Sequence, residues 1–153
     1  MRASPIRSLM SDLKAHVGSQ AAPAAPIKVL VVDDEALVRT FVGRVLRDAG
    51  YQPALAGDGT EALEVARTLG QFAILVTDVM MPQMGGDELA RRLRQREPDL
   101  KVLYLTGYSD QLFKDKVTLW ADEAFLDKPC SVKGLSQAVS RLLFGPLDTK
   151  PAA

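Results

Sequence analysis

The stretch from Phe72 to Gly86, F-A-I-L-V-T-D-V-M-M-P-Q-M-G-G, decides how the chain folds. Phe72 to Val76 is apolar and β-branched enough for a short, fully buried strand. The run stops at Thr77-Asp78. A carboxylate at the end of a buried strand is costly unless something neutralises or uses it. Met81-Pro82 and Gly85-Gly86 then force a loop before the next helix. Asp78 is therefore expected at the mouth of a sheet, on a rigid strand and facing a loop. Taken alone, it could equally cap the helix that follows.

The chain on either side of this stretch changes the balance. Ile27 to Val32 reads as an apolar strand ending in Asp33-Asp34-Glu35. Ala36 to Asp48 reads as a helix with Leu37, Val38, Phe41, Val42, Val45 and Leu46 on one side. Gly50 ends it. Gln52 to Ala56 is a weaker second strand, and Asp58-Gly59-Thr60 starts a helix closed by Gly70. After Asp78, Asp87 to Arg96 reads as a helix stopped by Pro98. Lys101 to Leu105 is a strand ending in Thr106-Gly107. Asp110 to Leu119 is a poorly defined helix, within a stretch, Ser109 to Glu123, that resists a regular reading. Ala124 to Leu126 is a strand ending in Asp127-Lys128-Pro129. Ser131 caps the final helix, with Leu135, Ala138, Val139, Leu142 and Leu143 inward, and Gly145-Pro146 closes it.

Alternating strands and helices imply an α/β fold, a parallel sheet covered on both faces. In open sheets of this kind, sites form outside the carboxyl ends of the strands. Four strands end there in reactive groups: Asp33-Asp34, Asp78, Thr106 and Lys128. Clustered carboxylates repel, and a divalent cation resolves the repulsion. Oxygen donors without histidine or cysteine suit a hard ion such as Mg²⁺, which takes one or two carboxylates and keeps several waters. Lys128 adds a point charge and Thr106 a hydroxyl donor. The set suits a tetrahedral anion, and phosphoryl transfer needs such an arrangement, with Asp78 as nucleophile forming an aspartyl phosphate. A purely structural Lys128–Asp78 ion pair would leave Asp33 and Asp34 without a reason.

With four motifs in order, V-L-V-V-D-D-E, V-T-D-V-M-M-P-Q-M-G-G, L-Y-L-T-G-Y and A-F-L-D-K-P, the chain resembles the receiver domain of two-component response regulators. The resemblance covers about residues 27–144. It implies a doubly wound (βα)5 flavodoxin-like sheet in the order 2-1-3-4-5, as in the chemotaxis regulators. It implies Asp78 as phosphoacceptor, and Asp34 and Asp78 as Mg²⁺ ligands with the Met80 backbone carbonyl, Mn²⁺ being an alternative ion. Asp33 would act on the metal through water. Lys128 and Thr106 would contact the phosphoryl group, and Phe125 would change rotamer with Thr106. Met80 and Tyr108 stand where the family tunes dephosphorylation; neither is a carboxylate or amide able to orient water. Cys130 stands where an aromatic is usual, and a small buried hydrophobe accounts for it.

The implied function is a switch or phosphorelay intermediate. A sensor histidine kinase or a histidine phosphotransfer protein would supply the phosphoryl group, and a downstream protein would read the result. No separate substrate turnover is expected. Two other functions fit the same sheet, an aspartyl-nucleophile phosphatase and a pseudo-receiver that only binds partners. The phosphatase reading lacks a second acid, since Met80 stands two residues after Asp78. The intact acid pair, Asp78, Thr106 and Lys128 argue against the pseudo-receiver.

The bulk properties agree. At 153 residues the chain has room for one domain with a real core. Formal net charge is zero, so no broad basic face invites nucleic acid. The single Cys130 and single His16 exclude an intrachain disulfide and a cysteine- or histidine-rich metal centre. No apolar run approaches a membrane span and no signal peptide is visible, so a cytoplasmic protein is expected. Residues 1–26 stand apart: Ile6, Leu9, Met10, Leu13 and Val17 recur at helical spacing, followed by an Ala/Pro linker. Such a short helix needs a surface to lie on, either its own domain or a partner, including a second copy in a homodimer. Residues 145–153 read as a short tail.

Overall fold

The structure, a computed structural model, describes residues 25–107 and 122–145. The expected N-terminal helix, the helix over Asp110 to Leu119, Tyr108 and most of the tail lie outside those residues. Among the described residues there are nine elements: β1 (Lys28–Val32), α1 (Ala36–Asp48), β2 (Gln52–Ala56), α2 (Gly59–Leu69), β3 (Ile74–Asp78), α3 (Gly86–Arg94), β4 (Lys101–Thr106), β5 (Glu123–Asp127) and α4 (Val132–Phe144). The strands form one parallel sheet in the order β2-β1-β3-β4-β5. The expected strand order is therefore observed.

Alternation along each strand sends side chains to two separate cores. Leu30, Val32, Leu75, Val102 and Tyr104 face α2 and α3, meeting Ala62, Ala66, Leu89, Ala90 and Leu93. Val29, Val31, Ile74, Val76, Leu103 and Leu105 face α1 and α4, meeting Val42, Val45, Leu46, Leu135 and Val139. The central strand β3 is buried along its whole length, Asp78 included.

Local chemistry sets the helix starts. The Asp58 side chain accepts from Glu61 N at 2.7 Å, satisfying a donor that α2 leaves unpaired, and Glu61 returns a carboxylate oxygen to Gly57 N, just before the cap. Ser131 caps α4 by accepting from Gly134 N. Asp78 is not the cap of α3. That place belongs to Gly85, which has no capping side chain, so the carboxylate of Asp78 is left for other work.

One helix face differs from the expected one. Val42, Val45 and Leu46 are buried, but Leu37 is 86% exposed and Phe41 lies at the surface. Period-3.6 spacing marks residues that share a stripe, not how far the sheet extends beneath it. The first turn of α1 begins four residues after β1 ends, and there Leu37 points away from the core while Val38 still packs against it.

At the opposite edge, Arg94 ties α3 to β5. Its guanidinium donates to Leu100 O at 3.1 and 2.9 Å and to the Glu123 carboxylate at 2.6 Å. Both side chains are largely buried. Removing one member of such a pair leaves the other short of charge compensation. Glu123→Ala is expected to cost about 2 kcal/mol, read as a lowered thermal midpoint. An unchanged midpoint would show that this edge does not depend on the pair.

Candidate functional site

The carboxyl ends of β1, β3, β4 and β5 converge. Asp33 follows β1 and is fully buried, its amide donating to Ala56 O at 3.2 Å. One carboxylate oxygen of Asp33 accepts from Glu35 N at 2.9 Å, which turns the loop into α1. Arg39 donates to the Asp33 carbonyl at 2.6 Å and pins the same turn. Asp34 is exposed at the rim. Asp78 closes β3, and its Oδ1 accepts from Val79 N at 2.9 Å.

Lys128 reaches into this group from the loop after β5. Its Nζ lies 3.1 Å from Asp33 Oδ2, 3.2 Å from Asp78 Oδ1 and 3.5 Å from Glu35 Oε1. The Lys128 amide donates to Thr106 O at 2.8 Å, which holds the loop against β4. The following peptide, Lys128-Pro129, is cis.

The charges do not balance locally. Two buried carboxylates share one ammonium. Burial and the charge of Asp33 push the Asp78 carboxyl up to about 7, against the pull of Lys128. Burial likewise raises Asp33, opposed by the Glu35 amide and Lys128. Burial alone would lower the Lys128 ammonium; its close contact with Asp33 and the charges of Asp78 and Asp33 outweigh that and hold it above its ordinary value. The lysine gains from both acids, while each acid is repelled by the other.

The residues fit a divalent cation. Asp33, Asp34 and Asp78 each offer a carboxylate oxygen, and the three atoms lie within 4.8 Å of one another. Asp33 Oδ2 is buried and accepts no well-directed hydrogen bond, although the Lys128 ammonium is near. A buried oxygen with spare acceptor capacity beside two more carboxylates is a hard-ion donor set.

Thr106, at the end of β4, is buried. Its hydroxyl donates to Asp127 Oδ1 at 2.8 Å. Phe125 is half-buried against Tyr104, ring centroids 6.0 Å apart. Met80 projects outward, 65% exposed. Cys130 is half-buried, and burial raises its thiol, which suits the inert role expected of it. The structure thus brings together Asp33, Asp34, Asp78 and Lys128 and sets Thr106 on the adjoining strand end. Sequence reasoning missed two contributors, Asp127 and Glu35. Their signal was adjacency: each stands within two residues of a residue already singled out.

A family model for the response regulator receiver domain matches residues 29–140. The chain belongs to that family. Among curated relatives, the response regulator receiver protein CpdR of Brucella abortus is 31% identical over 116 residues, 76% of this chain and 96% of its own length. The sensor kinase CckA of the same organism is 40% identical over 116 residues, 75% of this chain. That match spans only 12% of the kinase. Among solved structures, the response regulator TrrA of Thermotoga maritima, crystallised in complex with Mg²⁺ and beryllium fluoride, is 31% identical with a TM-score of 0.66. The likeness covers 76% of this chain and 99% of that one. As a receiver domain, the chain carries its acid cluster at the topological switch between β1 and β3, where sheets of this order place their ligands. No helix of the described residues is long and apolar enough to cross a membrane.

Proposed function

We propose that this receiver domain is a phosphorylation-controlled switch whose phosphoacceptor is Asp78. One observation carries the reading: a single ammonium, Lys128, bridges buried Asp33 and Asp78 beside an exposed third acid. A carboxylate pushed up to about 7 is poorly suited to an inert structural pair. It suits a group meant to be completed by added positive charge.

Asp78 is the nucleophile. One of its carboxylate oxygens bonds to phosphorus as the P–N bond of a phosphohistidine donor breaks, and the bonding pair leaves with the imidazole nitrogen. Lys128 stands 3.2 Å from Asp78 Oδ1 and supplies charge to the arriving phosphoryl oxygens. Asp34 and Asp78, with the Met80 carbonyl, would hold a divalent cation, Mg²⁺ or Mn²⁺, and Asp33 would support it through water. When bound, the ion supplies positive charge to the transferring group. Thr106 and Phe125 respond to the charge that phosphorylation adds, about −1.5 to −2 near neutral pH. The domain is a stoichiometric acceptor, with no second acid at Met80 to drive turnover.

The donor is a histidine kinase or histidine phosphotransfer protein. A groove of about 560 Å³ runs beside Lys128, lined by Leu37, Val38 and Phe41 of α1 and by Pro129 and Cys130. The apolar first turn of α1 therefore lies next to the chemistry, where a partner helix presenting its phosphohistidine would bury it. Kinases of that kind work in the cytoplasm, where this domain would meet them. A downstream protein reads the phosphorylated face.

Incubation with a ³²P-labelled phosphohistidine donor tests the proposal. Label is expected on the wild type in Mg²⁺, and little after chelation. Label retained by Asp78→Asn would overturn it. The acids are expected to rank. Asp34→Ala removes most metal-dependent phosphotransfer, whereas Asp33→Ala costs less transfer and more stability, since its buried side chain also holds Glu35 N and Lys128. Metal titration and melting of both variants are the check; equal metal effects would reject the ranking.

A further inference from the structure

We propose that Asp127 is a latch on the switch hydroxyl: it holds Thr106 away from the phosphoryl site and so opposes activation. The inference rests on the phosphoacceptor reading of Asp78 and deepens it.

Thr106 and Asp127 are register partners on neighbouring parallel strands. Partners in register present their side chains on the same face. The two side chains meet at the strand ends, Thr106 Oγ1 donating to Asp127 Oδ1 at 2.8 Å. A threonine hydroxyl has one proton to give. While it is given to Asp127, it is not available to a phosphoryl oxygen on Asp78. The two acceptors compete for one donor, and both are anionic, so the competition is close.

The setting makes the latch specific. Thr106 is buried, with its backbone carbonyl held by the Lys128 amide, so the strand end that carries the hydroxyl is fixed and only the side chain has to turn. Asp127 stands at the exposed end of β5. Two residues back on the same face, Phe125 lies against Tyr104, also in register. Transfer of the hydroxyl from Asp127 to the phosphoryl group would therefore remove one side-chain tie between the ends of β4 and β5, next to the aromatic pair. Asp127 is a positioning residue. It acts through Thr106 and sets how much phosphorylation is needed to throw the switch.

Beryllium fluoride in magnesium buffer is the probe, with affinity measured by calorimetry on the full chain. Asp127→Ala is expected to tighten binding about three- to tenfold, the worth of one hydrogen bond no longer contested. Asp127→Asn keeps an oxygen acceptor and is expected to stay within about twofold of wild type. In a Thr106→Val background, Asp127→Ala is expected to change nothing. Unchanged or weaker binding by Asp127→Ala overturns the latch. So does an equal gain in the Thr106→Val background, or an Asp127→Asn that behaves like alanine, because charge alone would then explain the effect. Wild-type protein that fails to bind, or binds no better than Asp78→Asn, overturns the phosphoacceptor reading itself and the latch with it.

Discussion

Asp78→Asn is expected to abolish phosphorylation and, at the same time, to make the metal-free protein more stable. The loss is chemical. An amide oxygen is a poor nucleophile, and the other carboxylate within reach of Lys128 at a strand end, Asp33, is fully buried and held by the Glu35 amide. Phosphotransfer should fall about a thousandfold or more, the scale on which removal of a nucleophile acts. The gain is electrostatic. Asp78 is raised from 3.8 to about 7 by burial first and by the charge of Asp33 second. A carboxylate whose folded value lies above its unfolded value destabilises the fold wherever it must ionise. That penalty is absent below about pH 4, grows through the interval up to about 7, and is constant above it. A shift of that size is worth at most about 4 kcal/mol. The amide remains a buried polar group and cannot pair with Lys128 as well as a carboxylate does. About 2 kcal/mol is therefore expected at pH 8, or a rise of about 8 °C in melting temperature. The difference should vanish near pH 4. A variant less stable than wild type at pH 8 in chelator would show that Lys128 satisfies Asp78 better than its surroundings indicate.

Gly86→Ala is expected to damage fold and site together. Gly86 begins α3, and its amide donates to Val79 O at 2.8 Å. A methyl group there would drive into the Asp78 carbonyl oxygen, with Thr77 Cγ2 at 3.0 Å and Thr77 Oγ1 at 3.2 Å. Backbone at the end of the central strand has nowhere to retreat. Overpacking of this kind costs about 3 kcal/mol, while alanine's helix preference returns about 1 kcal/mol. The net loss of about 2 kcal/mol should lower the melting temperature by about 8 °C. Because Asp78 itself must shift, phosphotransfer should fall with it, about tenfold. Gly85→Ala is the control. Its methyl would meet mainly Asp87 Oδ1, the end of a flexible side chain, at 2.9 Å, and Val79 O at 3.1 Å. It should cost less. Two equally tolerated alanines would remove the close approach as a constraint on Asp78.

Much of this protein is legible in one dimension because its signals are local. The strand from Ile74 to Asp78 is short, apolar and punctuated by Pro82, Gly85 and Gly86. Its neighbours repeat the pattern, and alternation of strand and helix admits few topologies. Reactive groups at the ends of β1, β3, β4 and β5 follow from counting along each run, so Asp33, Asp34, Asp78, Thr106 and Lys128 could be placed at one edge before any coordinates. Helix caps are equally local: Asp58 and Ser131 bond within three residues of themselves.

What only the tertiary structure decided lies between elements. Periodicity placed Leu37 and Phe41 on the inward stripe of α1, but how far a sheet reaches under a helix depends on where the strands stop, and both side chains lie at the surface. A glycine pair at 85 and 86 reads as a loop; that Gly86 alone lies against the Asp78 carbonyl is a matter of packing. Asp127 was visible as a neighbour of Lys128, and its hold on Thr106 was not, because that bond depends on the register of two strands far apart in sequence. Sequence by itself determined which groups stand at the mouth of the sheet. Register and burial decided which of them touch, because a hydrogen bond answers to distance in space and a charge to the water it has lost.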